Sequence, residues 1–192
     1  MDGKHDNAAR DVAASGLSRR TFLAASAALT GGAWFAGFAP IRAADAEYAI
    51  LGAKEAAIMD ALADCIIPPG EYPGGKEAGV TRFIDQQLGG YLASYRDMYE
   101  TCLPALNAGS RAKHGDAFVE LDEDEQIQYL TEIEAGEYEG QSGGDAENLW
   151  ESYSPRAFFN TARDHCMMGF YGHPRHGGNE NWVSYRMLGL RV

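Results

Sequence analysis

The densest group of side chains that could do chemistry lies near the end of the chain, in the segment HCMMGFYGHPRHGGN. Two imidazoles, His173 and His176, share one short loop, and a third, His165, stands beside the thiol of Cys166. Imidazole nitrogen and thiolate sulfur are ligands that zinc and copper prefer, and a tetrahedral site needs four ligands. One hypothesis is therefore a metal-binding or enzymatic domain whose zinc or copper site is completed by Cys166 or Glu180.

A second interpretation gives these histidines no chemistry. His165 lies next to an apolar helical face, and histidines on a Gly/Pro loop are usually turn residues exposed to water. We therefore expect no metal and no cofactor in this chain. The sequence also has no G-x-G-x-x-G, no G-K-[ST] phosphate loop and no G-x-S-x-G motif. The acidic run at 120–125 lacks the D-x-D-x-D-G order of a calcium loop, so we expect no calcium site there. Because the catalytic motifs are absent, we predict no catalytic residue.

The first 46 residues are predicted to be an export signal. The signal contains an arginine pair, followed by a weakly apolar run over residues 22–39 that begins with an aromatic residue and a leucine. Serine, threonine and glycine make this run less apolar than a helix that spans a membrane. This pattern is typical of the twin-arginine address, which is read by a receptor of the folded-protein export route. A general secretory signal or an uncleaved anchor are the alternatives. The motif residues are Ser18, Arg19, Arg20, Phe22 and Leu23.

A cleavage site is predicted directly after this run. Ala44 and Ala46 form an A-x-A pattern, and Ala43 is a competing position. Cleavage after Ala46 makes residues 1–46 a removable signal peptide and leaves residues 47–192, a normal size for a single domain with one core.

The predicted mature domain is strongly acidic. The whole chain has a net charge of −12, and residues 1–46 hold five of its 16 Lys+Arg and four of its 28 Asp+Glu. The remaining residues therefore carry −13. Such a domain is repelled by phosphate backbones, which excludes a nucleic-acid partner.

Three cysteines, Cys65, Cys102 and Cys166, lie in the predicted mature domain. In an oxidising compartment an odd number allows one disulfide and a free thiol, three buried thiols, or a bond to a partner chain. None belongs to a C-x-x-C pair, so an iron–sulfur or zinc-ribbon site is not expected.

Apolar residues recur at helical spacing through most of the domain, which predicts an all-α fold, a small helical domain with long irregular loops. Pro104 is expected to bend or divide the helix that contains it. The segments 68–79 and 134–147 are expected to be loops, and the chain from Gly172 onward to be irregular. The helices are predicted over 53–67, over 80–92, from about 94, over 126–134 after a capping box at Asp122, and over 157–170 after a Ser154-Pro155 start.

Three regions resemble the gluconate 2-dehydrogenase subunit 3 family, and together with the leader they cover nearly the whole chain. The middle region consists of residues 103–106, 118–121 and 128–130, and it lies between two more specific signatures. The first signature, residues 66–85, contains Ile66-Ile67-Pro68-Pro69, PGGKEAGV and Phe83-Ile84-Asp85, and is similar to the family's "I-I-P", "P-G-A-x-E-A-G-V" and "F-I-D". The last signature, residues 163–179, is similar to "G-x-F-x-D-P-x-Y-G-G-N". It departs from that pattern at His173, where the family usually has Asp, and at His176, where it has Tyr. The closing "G-W-x-x-I-G-Y-P-G" is reduced to residues 184–190.

The resemblance implies a small, non-catalytic subunit of a periplasmic dehydrogenase associated with the inner membrane. A large partner subunit would hold FAD and oxidise a sugar, a sugar acid or a polyol, and a cytochrome c subunit with haem c would pass the electrons to quinone. The small subunit would carry the large one through the twin-arginine translocon.

The C-terminal region is a candidate contact surface for that partner. Its aromatic residues exceed what one small core needs, and such residues anchor many interfaces, although each could also fill the core. Gly177-Gly178-Asn179 is expected to be a tight turn that needs positive φ. We expect Cys166 to be the thiol that could bond to the partner. The proposed turn and contact residues are Pro174, Gly177, Gly178, Asn179 and Trp182, and the aromatic residues are Trp150, Tyr153, Phe158, Phe159, Phe170, Tyr171, Trp182 and Tyr185.

Overall fold

A computed structural model describes residues 48–137, 150 and 152–191. These residues belong to one compact unit. The export-signal residues Ser18, Arg19, Arg20, Phe22 and Leu23 and the cleavage-site residues Ala44 and Ala46 lie outside the described residues. So does most of the predicted acidic loop at 134–147.

The described part of the chain is built from helices and turns and contains no strand, so the predicted all-α class is confirmed. None of its helices is both long enough and apolar enough to span a membrane. Residues 48–137 and 152–191 form six α-helices: α1 Ala53–Ile66, α2 Val80–Leu88, α3 Arg96–His114, α4 Glu123–Ala135, α5 Pro155–Tyr171 and α6 Val183–Met187. Four short 3₁₀ segments lie between them, at Ala93–Tyr95, Phe118–Glu120, Pro174–His176 and Glu180–Trp182.

Two helix starts follow directly from side-chain chemistry. The Asp122 carboxylate accepts from Glu125 N at 2.9 Å, and Glu125 Oε2 accepts from Asp122 N at 3.3 Å, which is a complete capping box. Ser154 Oγ accepts from Ala157 N at 3.2 Å, with Pro155 at the first helical position. These contacts satisfy N–H groups that have no partner inside the helix, and both predicted starts are confirmed.

Three helical predictions need correction. Helix α2 ends at Leu88 instead of residue 92, since Gly89 and Gly90 follow and glycine has low helical propensity. Helix α3 continues through Pro104, so the predicted division does not occur, because packing on a buried face outweighs the loss of one backbone hydrogen bond. A bend at Pro104, the other predicted outcome, stays a prediction. The chain after Gly172 is not wholly irregular: it contains the short helix α6 and two 3₁₀ turns.

Helix α5 organises the core. It packs most extensively against α2 and α4, and it also contacts α1, α3 and α6. Trp150, Phe158, Phe159 and Phe170 are buried in this core. Half of the C-terminal aromatic residues that were candidates for partner contact therefore fill the interior, because α5 lies among several helices and buries more than one side.

Candidate functional site

The first and last signatures meet in space although about a hundred residues separate them in sequence. Glu180 N donates to Ala78 O at 2.9 Å, and a Cβ on Gly79 would lie 3.1 Å from Gly177 O. Arg82 Nη1 lies 3.5 Å from Glu180 Oε1 in an exposed pair, a kind that adds little stability. The backbone contacts therefore define this junction.

Glycine is required at two adjacent positions of the junction. Gly177 has φ 100°, and a Cβ there would lie 2.4 Å from Gln86 Oε1. A Cβ on Gly178 would lie 2.3 Å from the carbonyl oxygen of Gly169 in α5. At Gly177 the positive φ favours glycine, since the Gln86 amide is the end of a flexible side chain and can move. At Gly178 the contact is with a backbone oxygen, so only a residue without a side chain allows the loop to approach α5 this closely.

Asn179 joins the two ends of the loop. It is fully buried and has φ 48°. Its Nδ2 donates to Gly172 O at 2.7 Å, and its Oδ1 accepts from Ser184 N at 2.9 Å. Asparagine tolerates the left-handed region better than most residues, so the amide holds the turn in a conformation that few other side chains permit.

Trp182 also lies in the left-handed region, with φ 60°. Such a conformation is uncommon for a bulky residue and persists only where packing fixes it. Its ring is 4.8 Å from the His173 ring and 5.2 Å from the Tyr185 ring, measured between centroids. Pro174 opens the intervening 3₁₀ turn, and His173 Nδ1 accepts from Arg175 N at 3.2 Å.

Beside the junction lies an open groove, formed where α2 and α5 run next to the last signature. Its volume is about 620 Å³. Four of its side chains are apolar or aromatic and markedly exposed: Tyr91 at 79%, Met167 and Met168 at 41% each, and Tyr171 at 40%. The other lining residues are Phe83, Gln87, Gly172, His173 and His176. We call this surface the α2–α5 groove.

The groove differs in charge from the rest of the domain. None of the described residues that line it carries a carboxylate. Residues 48–137 hold 17 acidic and six basic side chains, a net charge of −11, whereas residues 152–191 hold two acidic and five basic ones, a net charge of +3. Six of the nine lining residues belong to the second range, and the other three, Phe83, Gln87 and Tyr91, belong to the acidic range but carry no charge themselves.

The structure does not bring the four candidate metal ligands together. No group of three or more His, Cys, Asp or Glu side chains that could hold a metal occurs in the described ranges. His165 is buried and lies 3.0 Å from Tyr99 Oη through its Nδ1, while His173 and His176 lie on the exposed loop and contact Arg175. The hypothesis of a site built from His165, Cys166, His173 and His176 is not supported by this geometry.

The three thiols are all free. Burial raises the pKa of Cys65 and of Cys102 to about 12, and it also raises the pKa of Cys166, whose side chain is fully buried. A thiol reacts as the thiolate, so none of these is an activated nucleophile. A disulfide between Cys166 and a partner would require α5 to expose its buried face.

Several residues of interest were not singled out by the sequence as contact or anchoring residues. Met167 and Met168 follow the buried Cys166 on α5. Each residue turns the helix by about 100°, so these two point about 100° and 200° away from Cys166, a signal that could have indicated that both leave the core. Tyr91 follows a glycine pair, where no helical spacing applies. Asp85 was noted within the first signature, but its three backbone partners lie 34 to 36 residues away and could not be read from spacing.

Searches among curated proteins and among solved structures return no match to this chain. The sequence model described as gluconate 2-dehydrogenase subunit 3 matches residues 53–190, which include both signatures, the α2–α5 groove and all six helices. The chain therefore belongs to the gluconate 2-dehydrogenase subunit 3 family.

Proposed function

We propose that this protein is the non-catalytic small subunit of a periplasmic FAD-dependent dehydrogenase that oxidises a sugar, a sugar acid or a polyol. The large partner subunit holds the FAD and carries out the oxidation. A membrane-associated cytochrome c subunit accepts the electrons and keeps the complex at the inner membrane. This chain stabilises the large subunit and contributes no catalytic residue.

The α2–α5 groove is the observation that carries this proposal. Exposed apolar patches on a soluble domain commonly mark an interaction site, and methionine side chains adapt to the shape of a partner. The groove lacks acidic residues, so an acidic or neutral partner surface can approach it without the repulsion that it meets elsewhere on the domain. The family assignment, which implies a larger catalytic partner, favours the large subunit over a second copy of this chain as the occupant.

Export is the second part of the proposed role. The folded domain binds the folded large subunit in the cytoplasm, and the twin-arginine motif at Arg19 and Arg20 delivers the pair to the translocon. A large subunit without its own signal reaches the periplasm by this route. The family assignment and the arginine pair support this step.

Affinity purification of the tagged full-length chain from its own host tests the complex. We expect a larger partner that absorbs in the flavin bands and is identified by mass. A colourless monomer would contradict the proposal.

Arg19→Lys together with Arg20→Lys tests export: the dehydrogenase activity should remain in the cytoplasm. Arg10→Lys, which lies in the same leader but outside the motif, should leave export unchanged.

A further inference from the structure

Asp85 holds the beginning of the described chain through its buried carboxylate. Its Oδ2 accepts from Ala49 N at 2.7 Å, and its Oδ1 accepts from Ile50 N and Leu51 N at 2.8 Å each. Asp85 is only 3% exposed. A buried carboxylate is costly unless it is fully hydrogen-bonded, and three charge-assisted bonds from consecutive amides meet that need.

The residues held in this way connect the predicted leader to the domain. Tyr48 is the first described residue, and the predicted signal peptide ends at residue 46. On the other side, Gly52 O accepts from Ala56 N at 2.9 Å as α1 begins. Residues 49–51 are therefore fixed between Asp85 and α1, and we call them the leader root.

The same helix carries the leader root and the α2–α5 groove on different faces. Phe83 and Gln87 line the groove, and each lies two residues from Asp85. Two residues correspond to about 200° around an α-helix, so Asp85 points away from the groove. Gln86 faces Gly177 in the last signature. Helix α2 thus stands between the leader root and the groove.

We propose that Asp85 is a positioning residue for export: it fixes the leader root on the face of α2 opposite the α2–α5 groove. A partner seated in the groove then leaves the leader uncovered for the translocon. This inference rests on the proposed function. Without the clamp, the four residues 48–51 could extend by up to about 14 Å, and the leader root would no longer be fixed on that face of α2.

The experiment uses the full-length chain with its partner in the native host. Asp85→Asn keeps the size of the side chain and removes the charge and one acceptor oxygen. We expect the exported fraction of the dehydrogenase to fall several-fold while the amount of partner that co-purifies with the chain stays the same. In purified complex, hydrogen exchange at the amides of Ala49, Ile50 and Leu51 should become at least about tenfold faster.

A control separates positioning from general stability. Ser110→Ala removes a buried hydrogen bond to Asp116 O, which spans 2.8 Å and lies near the end of α3. It should lower stability without changing export or exchange at residues 49–51. If Asp85→Asn does not fold, Ala49→Pro removes one of the three donors and leaves the carboxylate in place. It should lower export and speed exchange at Ile50 and Leu51, the two donors that remain.

Two results would overturn the inference. Normal export of Asp85→Asn would show that the clamp does not matter for export, and equal losses of partner binding and export would show a purely structural role. Export that persists in the double-lysine variant of Arg19 and Arg20 would instead remove the proposed function itself, so the two failures are distinguishable.

Discussion

Tyr99 and His165 share a hydrogen bond in the interior, with 3.0 Å between Tyr99 Oη and His165 Nδ1. Both side chains are buried, and the Tyr95 ring meets the His165 ring edge-on at 4.9 Å between centroids. Burial lowers the pKa of His165 and raises that of Tyr99 well above its ordinary value. The pair is therefore neutral in the folded protein, which suits a structural role.

This pair predicts a pH dependence of stability. The pKa of His165 is lower in the folded state than its ordinary value of 6.5, so below that pH the unfolded chain binds a proton that the folded chain does not. The free energy of unfolding should fall as the pH decreases from about 6.5, by at most about 1.4 kcal/mol per pH unit from this group. Urea unfolding at pH 7.5 and 5.5 measures the slope. His165→Gln should show a smaller loss, and equal losses in both proteins would contradict the assignment.

Gly178→Ala tests the junction between the two signatures. The new Cβ would lie 2.3 Å from the carbonyl oxygen of Gly169, a backbone atom that cannot rotate away. We expect a loss of about 1–3 kcal/mol in the free energy of unfolding, measured by chemical denaturation. Gly70→Ala is the matched control, because no atom lies within 4 Å of its new Cβ. If both variants are equally stable, the close approach is not a constraint.

Thiol labelling tests the burial of the three cysteines. Cys65 is partly exposed, whereas Cys102 and Cys166 are buried, and burial raises the pKa of all three. We expect slow labelling of Cys65 in the native protein and labelling of the other two only after unfolding, as read by mass spectrometry. The same burial predicts that a non-reducing denaturing gel shows no disulfide-linked partner band, either for the unchanged protein or for Cys166→Ala. A partner band lost only in this variant would show that Cys166 forms the intersubunit bond.

Local chemistry explains why much of the fold could be predicted from the sequence. The starts at Asp122 and Ser154 depend on side chains within three residues of the backbone groups that they cap, so the pattern determines the structure there. The continuation of α3 through Pro104 could not be predicted in this way. It depends on burial against other helices, which the residues around Pro104 do not encode.

The candidate site was predictable only in part. Gly177 and Asn179 lie in the left-handed region that their residue types favour. The sequence could not show whether the metal-ligand candidates meet, because that is a long-range property: His165 is buried on α5, whereas His173 and His176 lie on the exposed loop. The α2–α5 groove joins residues from two helices about 80 positions apart, and no spacing rule connects them.

Met168→Asp tests the groove as the surface that binds the large subunit. A carboxylate in an apolar interface loses its hydration without gaining a partner, so the co-purified flavin subunit should fall at least about tenfold. Met168 is 41% exposed in the free chain, and the variant should therefore fold normally. Val119→Asp is the matched control: Val119 is 39% exposed, lies in the 3₁₀ segment Phe118–Glu120 and does not line the groove. Equal recovery of the flavin subunit with both variants, at unchanged melting temperatures, would place the partner on another face of the domain.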